Sequence, residues 1–332
     1  MIVGVDIGGT KVAAALVTAE GEISHKTRVP MVSTGDAATG FAAVKEAIGA
    51  IYAAAPSGAV TGIGICSPGP LDPETGVVLN PPNLPCWRNF PLAAEIEKAF
   101  GVPARVDNDG NAAGLAEAIW GAGAGYRNVF YATLGTGIGA GIIFDRKIYH
   151  GRTGSAAEGG HVSIDYKGPR CACGKRGCIE ALASGPRIAR RAQEKLAAGA
   201  ESIILGYAGS LEEVRAEHVG EAFREGDAVA REVLTETAFL LTVWLGNIVD
   251  LLEPDVMVVG GGVAELMSSF FAGMSADLPH WCLNQRAHEI PLVLARYGAD
   301  AGIAGAASLC ESGQVSAFSD RLLRSPRSSR DR

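Results

Sequence analysis

His161, Cys171, Cys173 and Cys178 bring one imidazole and three thiols into a single short stretch of chain. That is the ligand set of a closed Cys₃His zinc site. Three of the seven cysteines fall within residues 171–178. Pro169, Gly174 and Gly177 between them suit a tight knuckle whose side chains converge on one point. The competing reading is a set of free or bridged thiols in a loop, and the His beside thiolates this close favours a metal. Four protein ligands leave no open position for an activated water, so the Zn²⁺ is read as structural. Glu158 and His161 stand at one edge of the knuckle and Glu180 at the other, so one ion could hold several polar groups in place.

A second chemistry resides in glycine turns. Asp6, Gly8, Gly9, Thr10 and Lys11 lie between two apolar runs, and Gly135, Thr136 and Gly137 repeat the plan at 128–144. Glycines at a strand-to-strand turn let backbone N–H groups approach phosphate oxygens with no Cβ in the way. Thr10 and Thr136 add hydroxyl donors, and Lys11 adds a cation. Asp6, in the first strand, is placed to meet a Mg²⁺ bridging phosphates. No Gly-x₄-Gly-Lys-Ser/Thr occurs, and the glycines of 135–141 lack the Gly-x-Gly-x-x-Gly spacing. Each loop alone could be a plain hairpin turn. Two matching loops, with Gly261 and Gly262 in a third glycine turn, are harder to dismiss as plain turns and point to phosphate.

The elements that must position these groups read as strands alternating with helices, hence an α/β fold. Strands are expected at 2–7, 11–17, 60–66, 104–106, 128–134 and 138–144. Helices are expected at 40–55, 92–100, 111–120, 185–200, 211–217 and 227–252. A buried strand from 255 runs into the triple glycine, and a small-residue helix covers 301–309. At 332 residues, two lobes are expected. We place a small N-terminal lobe over 1–110, completed by a helix near 301–313, and a larger lobe over 111–300 with the knuckle at 161–180. A disordered Ser/Arg-rich tail is expected over 316–332. A net charge of −7 argues against a nucleic-acid partner. The start lacks a cleavable signal, and the most apolar helical run, 239–252, is too short to span and carries Asn247 and Asp250. These features imply a cytoplasmic protein without a membrane partner. Scattered Cys66, Cys86, Cys282 and Cys310 fit a reducing compartment and read as small core hydrophobes. The Asn108-Asp109-Gly110-Asn111 turn offers a carboxylate for general base work, or a helix cap from Asp107 and Asp109; residue types alone leave both open.

Taken together, these segments resemble the ROK family, sugar kinases and related repressors within the hexokinase, Hsp70 and actin superfamily. Asp6-x-Gly-Gly-Thr-Lys11 resembles its first phosphate motif, Leu134-Gly-Thr-Gly137 the second, and Val259-Gly-Gly-Gly-Val263 its adenosine-side motif. Cys66-Ser-Pro-Gly69-Pro, Pro82-Asn83-Leu84 and Trp87 resemble its sugar-lobe segments, and Asn108-Asp109-Gly-Asn111 its catalytic stretch. Glu158-Gly-Gly-His161 and Cys171-x-Cys173-Gly-x-x-Gly-Cys178-x-Glu180 match its remaining signatures, with no departure at a motif position. The resemblance implies a two-lobed actin/hexokinase-like (ribonuclease H-like) ATPase fold with sugar and Mg-ATP between the lobes and the last helix packed on the N-terminal one. It implies Asp109 as base toward the 6-hydroxyl of a hexose, and Gly69, Asn83, Asn108, Glu158, His161 and Glu180 about the sugar. D-glucose is the sugar it favours, with N-acetylmannosamine the alternative. A homodimer or homotetramer is also implied. The family's repressors carry a helix-turn-helix before the first phosphate motif; here the first strand begins at residue 2, which favours the kinase.

Overall fold

The computed structural model describes residues Met1–Glu311; the expected tail at 316–332 lies outside them. The chain forms two compact units. The first comprises Met1–Trp120, Arg146–Ala156 and, of the described residues, those from Asp300 to Glu311. The second comprises Gly121–Asp145 and Ala157–Ala299.

The first unit is built on a five-stranded sheet of β1 (Ile2–Ile7), β2 (Lys11–Val17), β3 (Ile23–Pro30), β4 (Gly62–Ser67) and β7 (Ala104–Asn108), in the order β3-β2-β1-β4-β7. The short hairpin of β5 (Leu71–Asp72) and β6 (Val77–Val78) stands apart from it. β1 runs antiparallel to β2 and parallel to β4, which runs parallel to β7. Nearly every residue of β2 is buried because the sheet is covered on both faces. Val12, Ala14 and Leu16 join the core with helix α1 (Ala37–Ala54), whereas Ala13, Ala15 and Val17 meet the C-terminal helix Ala301–Ser308. That alternation is the two-residue period of a strand made visible. Helix α2 (Leu92–Phe100) packs against β7, and α3 (Asp109–Ile119) against the C-terminal helix. This last contact draws α3 into the first unit, beyond the expected boundary at 110. The C-terminal helix itself stops at Ser308, short of the expected 313; residues 312 and 313 lie outside the described ones.

Two glycines explain how closely that helix lies. Gly4 of β1 and Gly64 of β4 are register partners. A Cβ on Gly4 would fall 2.2 Å from the Ile303 carbonyl oxygen, and one on Gly64 only 1.7 Å from that of Ala306. Backbone on backbone cannot yield as a side chain would. Gly64→Ala is therefore expected to destabilise the protein by about 3 kcal/mol, lowering the thermal midpoint by roughly 6–12 °C. Gly49→Ala, in α1 with nothing within 4 Å of its added methyl, should instead be neutral or stabilising by about 0.5–1 kcal/mol. Calorimetry of both variants checks the contrast.

The second unit repeats the plan. β8 (Asn128–Leu134), β9 (Ile138–Phe144), β11 (Val256–Gly260) and β12 (Leu292–Leu294) run in the order β9-β8-β11-β12, and the two-residue β10 (Lys147–Ile148) falls in a segment of the first unit. Again an antiparallel pair precedes two parallel partners. The duplication thus extends beyond the hairpins visible in sequence to four strands in each sheet, β2-β1-β4-β7 and β9-β8-β11-β12. Around this one lie α4 (Ile179–Ala183), α5 (Gly185–Ala197), α6 (Ile204–Ala208), α7 (Ala216–Arg224), α8 (Ala228–Leu252), α9 (Gly262–Met267) and α10 (Phe271–Asp277). A helix expected over 211–217 is instead α7, beginning where that segment ends, and α6 was not anticipated. α8 starts at Asp227, whose carboxylate accepts the Ala230 N–H at 2.8 Å, and ends before Pro254, which cannot continue it. Its 25 residues are long and apolar enough to cross a membrane, but 61% of its most apolar window is buried inside the protein. Trp244, 1% exposed, meets Phe130 edge-on at its centre, so α8 is the core helix of this unit.

Candidate active site

In the first unit three parallel strands end side by side. Asp6 of β1 pairs with Cys66 of β4, and Cys66 with Asp107 of β7. The turns that follow therefore leave the same sheet edge, the carboxyl-end edge where α/β sheets bind ligands. The Gly8 N–H donates to the Lys11 carbonyl at 2.9 Å, closing the first glycine turn. Gly9 lies against Asn83, where a Cβ would stand 3.0 Å from the Asn83 carbonyl oxygen. Gly69 is near Asn108, 3.7 Å from a built Cβ to Nδ2. Thr10, Lys11 and Asn83 are exposed. The Cys66 thiol lies 3.3 Å from both Asp6 Oδ1 and the Gly302 carbonyl oxygen. Burial pushes the Asp6 carboxyl above the usual carboxylate range, against the lowering pull of Cys66, Lys11 and Arg28. Burial, with the Asp6 and Asp109 carboxylates, pushes the Cys66 thiol well up.

Asp109 is exposed, the first residue of α3. Capping falls to Asn108, whose Oδ1 accepts the Gly110 N–H at 2.9 Å. Asp109 Oδ1 accepts the same N–H at 2.9 Å. Both side chains thus share one N–H of the first turn, while the N-cap position itself is Asn108.

In the second unit, the ligand atoms of His161, Cys171, Cys173 and Cys178 all lie within 4.8 Å of one another. Cys171 Sγ is 3.6 Å from His161 Nδ1, and Cys173 Sγ is 3.7 Å from Cys178 Sγ. Tetrahedral ligands at metal–sulfur bond length would stand roughly 3.7 Å apart, so the donor set fits a four-coordinate metal. As thiols, Cys178 is pushed up to about 12 by burial and its two neighbours, while the Lys175 backbone N–H holds Cys173 below its ordinary value. Metal binding here would displace protons. His161 closes a 3₁₀ turn, Gly159–His161, that presses on β9. A Cβ on Gly160 would fall 1.7 Å from the Ile138 carbonyl oxygen, so the spacer of Glu158-x-Gly160-His161 must be glycine there. Glu180, on α4, joins the cluster to the second glycine turn: Oε1 lies 3.8 Å from Cys171 Sγ, and Oε2 accepts the Ile138 N–H at 2.9 Å. Glu158 is exposed and lies outside the cluster.

The second glycine turn opens onto a cavity. The Gly135 N–H donates to Gly137, and Gly185, heading α5, donates to Gly135 at 2.8 Å. Gly261 has φ +90° and approaches Leu134 so closely that a Cβ would lie 2.3 Å from its carbonyl oxygen. Gly135, Thr136 and Gly262, with Gln193, Arg215 and Glu265, line a cavity of about 1210 Å³. That volume accommodates a nucleoside, and the turn beside it offers N–H groups to phosphates.

Residues 2–312 match the model of the ROK family. The chain belongs to the ROK family. This ROK protein is 33% identical to the glucokinase of Thermotoga maritima over 93% of its own length and 96% of that relative. It is 32% identical to the N-acetylmannosamine kinase of Shigella flexneri, across 93% of this chain and 98% of the other. Among solved structures, a ROK glucokinase from Streptomyces griseus in complex with glucose and AMPPNP superposes with a TM-score of 0.78 at 35% identity, covering 93% and 98% of the two chains. The architecture is accordingly the hexokinase-like α/β fold of ROK proteins.

The ROK protein's motif residues thus gather in two sets. Asp6, Gly8, Gly9, Thr10, Lys11, Gly69, Asn83, Asn108 and Asp109 share the first unit; Gly135, Thr136, Gly137, Glu158, His161, Glu180, Gly261, Gly262 and the three thiols share the second. Two features lay outside the sequence reading. Cys66, read as a core hydrophobe, also contacts the Asp6 carboxylate; nothing in its type signals that. The cavity walls from α5 and α7 carry no motif at all.

Proposed function

We propose that this protein is an ATP-dependent glucokinase that transfers the γ-phosphoryl group of Mg-ATP to the 6-hydroxyl of D-glucose. What carries the reading is the paired geometry of the glycine turns: Gly8–Lys11 and Gly135–Gly137 each join the first two of four strands that share one order. Their backbone N–H groups would hold the phosphates, with Gly261 and Gly262 against the nucleoside. Asp6 would meet Mg²⁺, which supplies charge neutralisation at the phosphates. Asn108, Glu158, His161 and Glu180 would hydrogen-bond the sugar hydroxyls, flanked by Gly69 and Asn83. Asp109 takes the 6-hydroxyl proton while the sugar oxygen bonds to the γ-phosphorus. The bond from that phosphorus to the β–γ bridging oxygen breaks, and ADP leaves with the electron pair. His161, Cys171, Cys173 and Cys178 would hold Zn²⁺, which supplies rigidity and no reacting group. Nδ1 of His161 faces the thiols, so Nε2 is the nitrogen for the sugar. Such an enzyme works in the cytoplasm on small molecules and needs neither nucleic acid nor membrane.

N-acetylmannosamine is the second reading, supported by the similarity to that kinase. A pocket distinguishes one small group by only about 1–3 kcal/mol, so some activity on mannose or glucosamine is expected. The deciding measurement is kcat/KM for glucose over that for N-acetylmannosamine at saturating Mg-ATP. A ratio above one is expected; a ratio below one transfers the assignment to the acylamino sugar and leaves the kinase chemistry intact.

A further inference from the structure

Asp107, at the end of β7 and 3% exposed, is the buried carboxylate immediately before the Asn108-Asp109 turn. Three donors surround it. Oδ1 accepts the Asn108 N–H at 2.7 Å and the Asn111 Nδ2 at 3.1 Å. Oδ2 lies 2.6 Å from Nε2 of His150. With the ring proton on Nε2, His150 donates to this carboxylate oxygen. His150 belongs to no motif and reaches this turn from the segment Arg146–Ala156, within the same unit. Asn111 has its Oδ1 buried without a hydrogen-bond partner. The bond to Asp107 is what orients that amide.

We propose that Asp107 is a positioning residue for the phosphoryl-transfer step and that His150 is the side chain that sets it. The chain His150–Asp107–Asn111, with the Asn108 N–H, clamps both sides of Asp109 and so fixes the direction of the carboxylate that takes the sugar proton. The inference rests on Asp109 as the base. Stability alone is a weak reason for the arrangement, since a well-packed apolar pair commonly serves a fold as well as a buried polar one. What the hydrogen-bonded chain adds is a single orientation, and a misplacement of about 1 Å is enough to slow a reaction severely.

The test compares His150→Leu, His150→Gln, Asp107→Asn and the double variant Asp107→Asn/His150→Leu, with glucose and Mg-ATP. His150→Leu is expected to lower kcat by about tenfold to a hundredfold, as expected for a misplacement of about 1 Å, with KM for Mg-ATP unchanged. His150→Gln, whose amide N–H can reach Asp107 Oδ2, should restore most of the loss. The double variant should be no worse than the poorer single one, because both remove the same interaction. A folded His150→Leu enzyme with wild-type kcat overturns the proposal. So does a Gln variant no better than Leu, or full additivity in the double variant. Should His150→Leu fail to fold, His150→Asn, whose shorter amide cannot span the gap, takes its place in the comparison. Asp109→Asn is measured alongside. If it retains turnover, the base assignment itself falls; if it is inactive while His150→Leu is normal, only the positioning role falls.

Discussion

Asp109→Asn is expected to lower kcat by about 10²–10⁴-fold, the usual contribution of a positioned general base, while glucose affinity stays close to wild type. The amide keeps the size and a hydrogen-bonding oxygen of the carboxylate, and α3 keeps its cap, because Asn108 supplies it. Only proton acceptance is lost. The 6-hydroxyl then has to lose its proton to water as the oxygen attacks, and the charge that Asp109 would have taken develops unrelieved. Steady-state kinetics with a coupled ADP assay, together with glucose titration in the presence of AMPPNP, separate the two quantities. Turnover near wild type would remove Asp109 from the mechanism; loss of sugar binding in step with kcat would recast it as a binding residue.

The second large effect concerns the knuckle. Elemental analysis should find about one zinc per chain, and Cys173→Ser should lower it. The same variant is expected to raise KM for glucose by about tenfold to a hundredfold, the range seen when a metal's supporting contacts are lost. The physical route is short. Cys173 and Cys178 lie 3.7 Å apart, and His161 Nδ1 is 3.6 Å from Cys171 Sγ. Without a common ion these groups have no reason to stay convergent, and the His161 ring becomes free to turn. Glu180 is tied to the Ile138 N–H, so its position is less exposed to the loss. Accordingly, the effect should fall on sugar affinity more than on KM for Mg-ATP. Prolonged chelation should reproduce it, and added zinc should reverse the chelation. A fully active protein without zinc would overturn the structural-metal reading.

What could be read from the sequence was carried by local chemistry. The Cys₃His set was legible because all four ligands lie within 161–178, where short-range spacing and three turn-forming residues already force convergence. The glycine-threonine turns were legible for the same reason, since a turn and its two flanking strands are neighbours in the chain. The duplication was visible at that level too, as two hairpins. Asp109 was different: its residue type fitted a base and a cap equally, and the placing of the cap on Asn108 came from the structure. Helix ends shifted by a few residues wherever capping rather than periodicity decided them, as with Asp36 starting α1 at Ala37.

Only tertiary structure decided the remainder, because it depends on residues far apart in sequence. That β2-β1-β4-β7 and β9-β8-β11-β12 share one order follows from the parallel pairings β1-β4-β7 and β8-β11-β12, and a strand's sequence does not name its partner. Gly4 and Gly64 carry no signal within their own strands, and only register set them side by side beneath a helix that no side chain could admit. Cys66 was an apolar residue by type and became a neighbour of Asp6 only through strand pairing. His150, in a loop that carries no signature, meets Asp107 at the end of β7, and only their geometry reveals the bond. Hydrogen bonding and close packing reward positions in space, and local sequence records such positions only where the chain itself keeps the partners near.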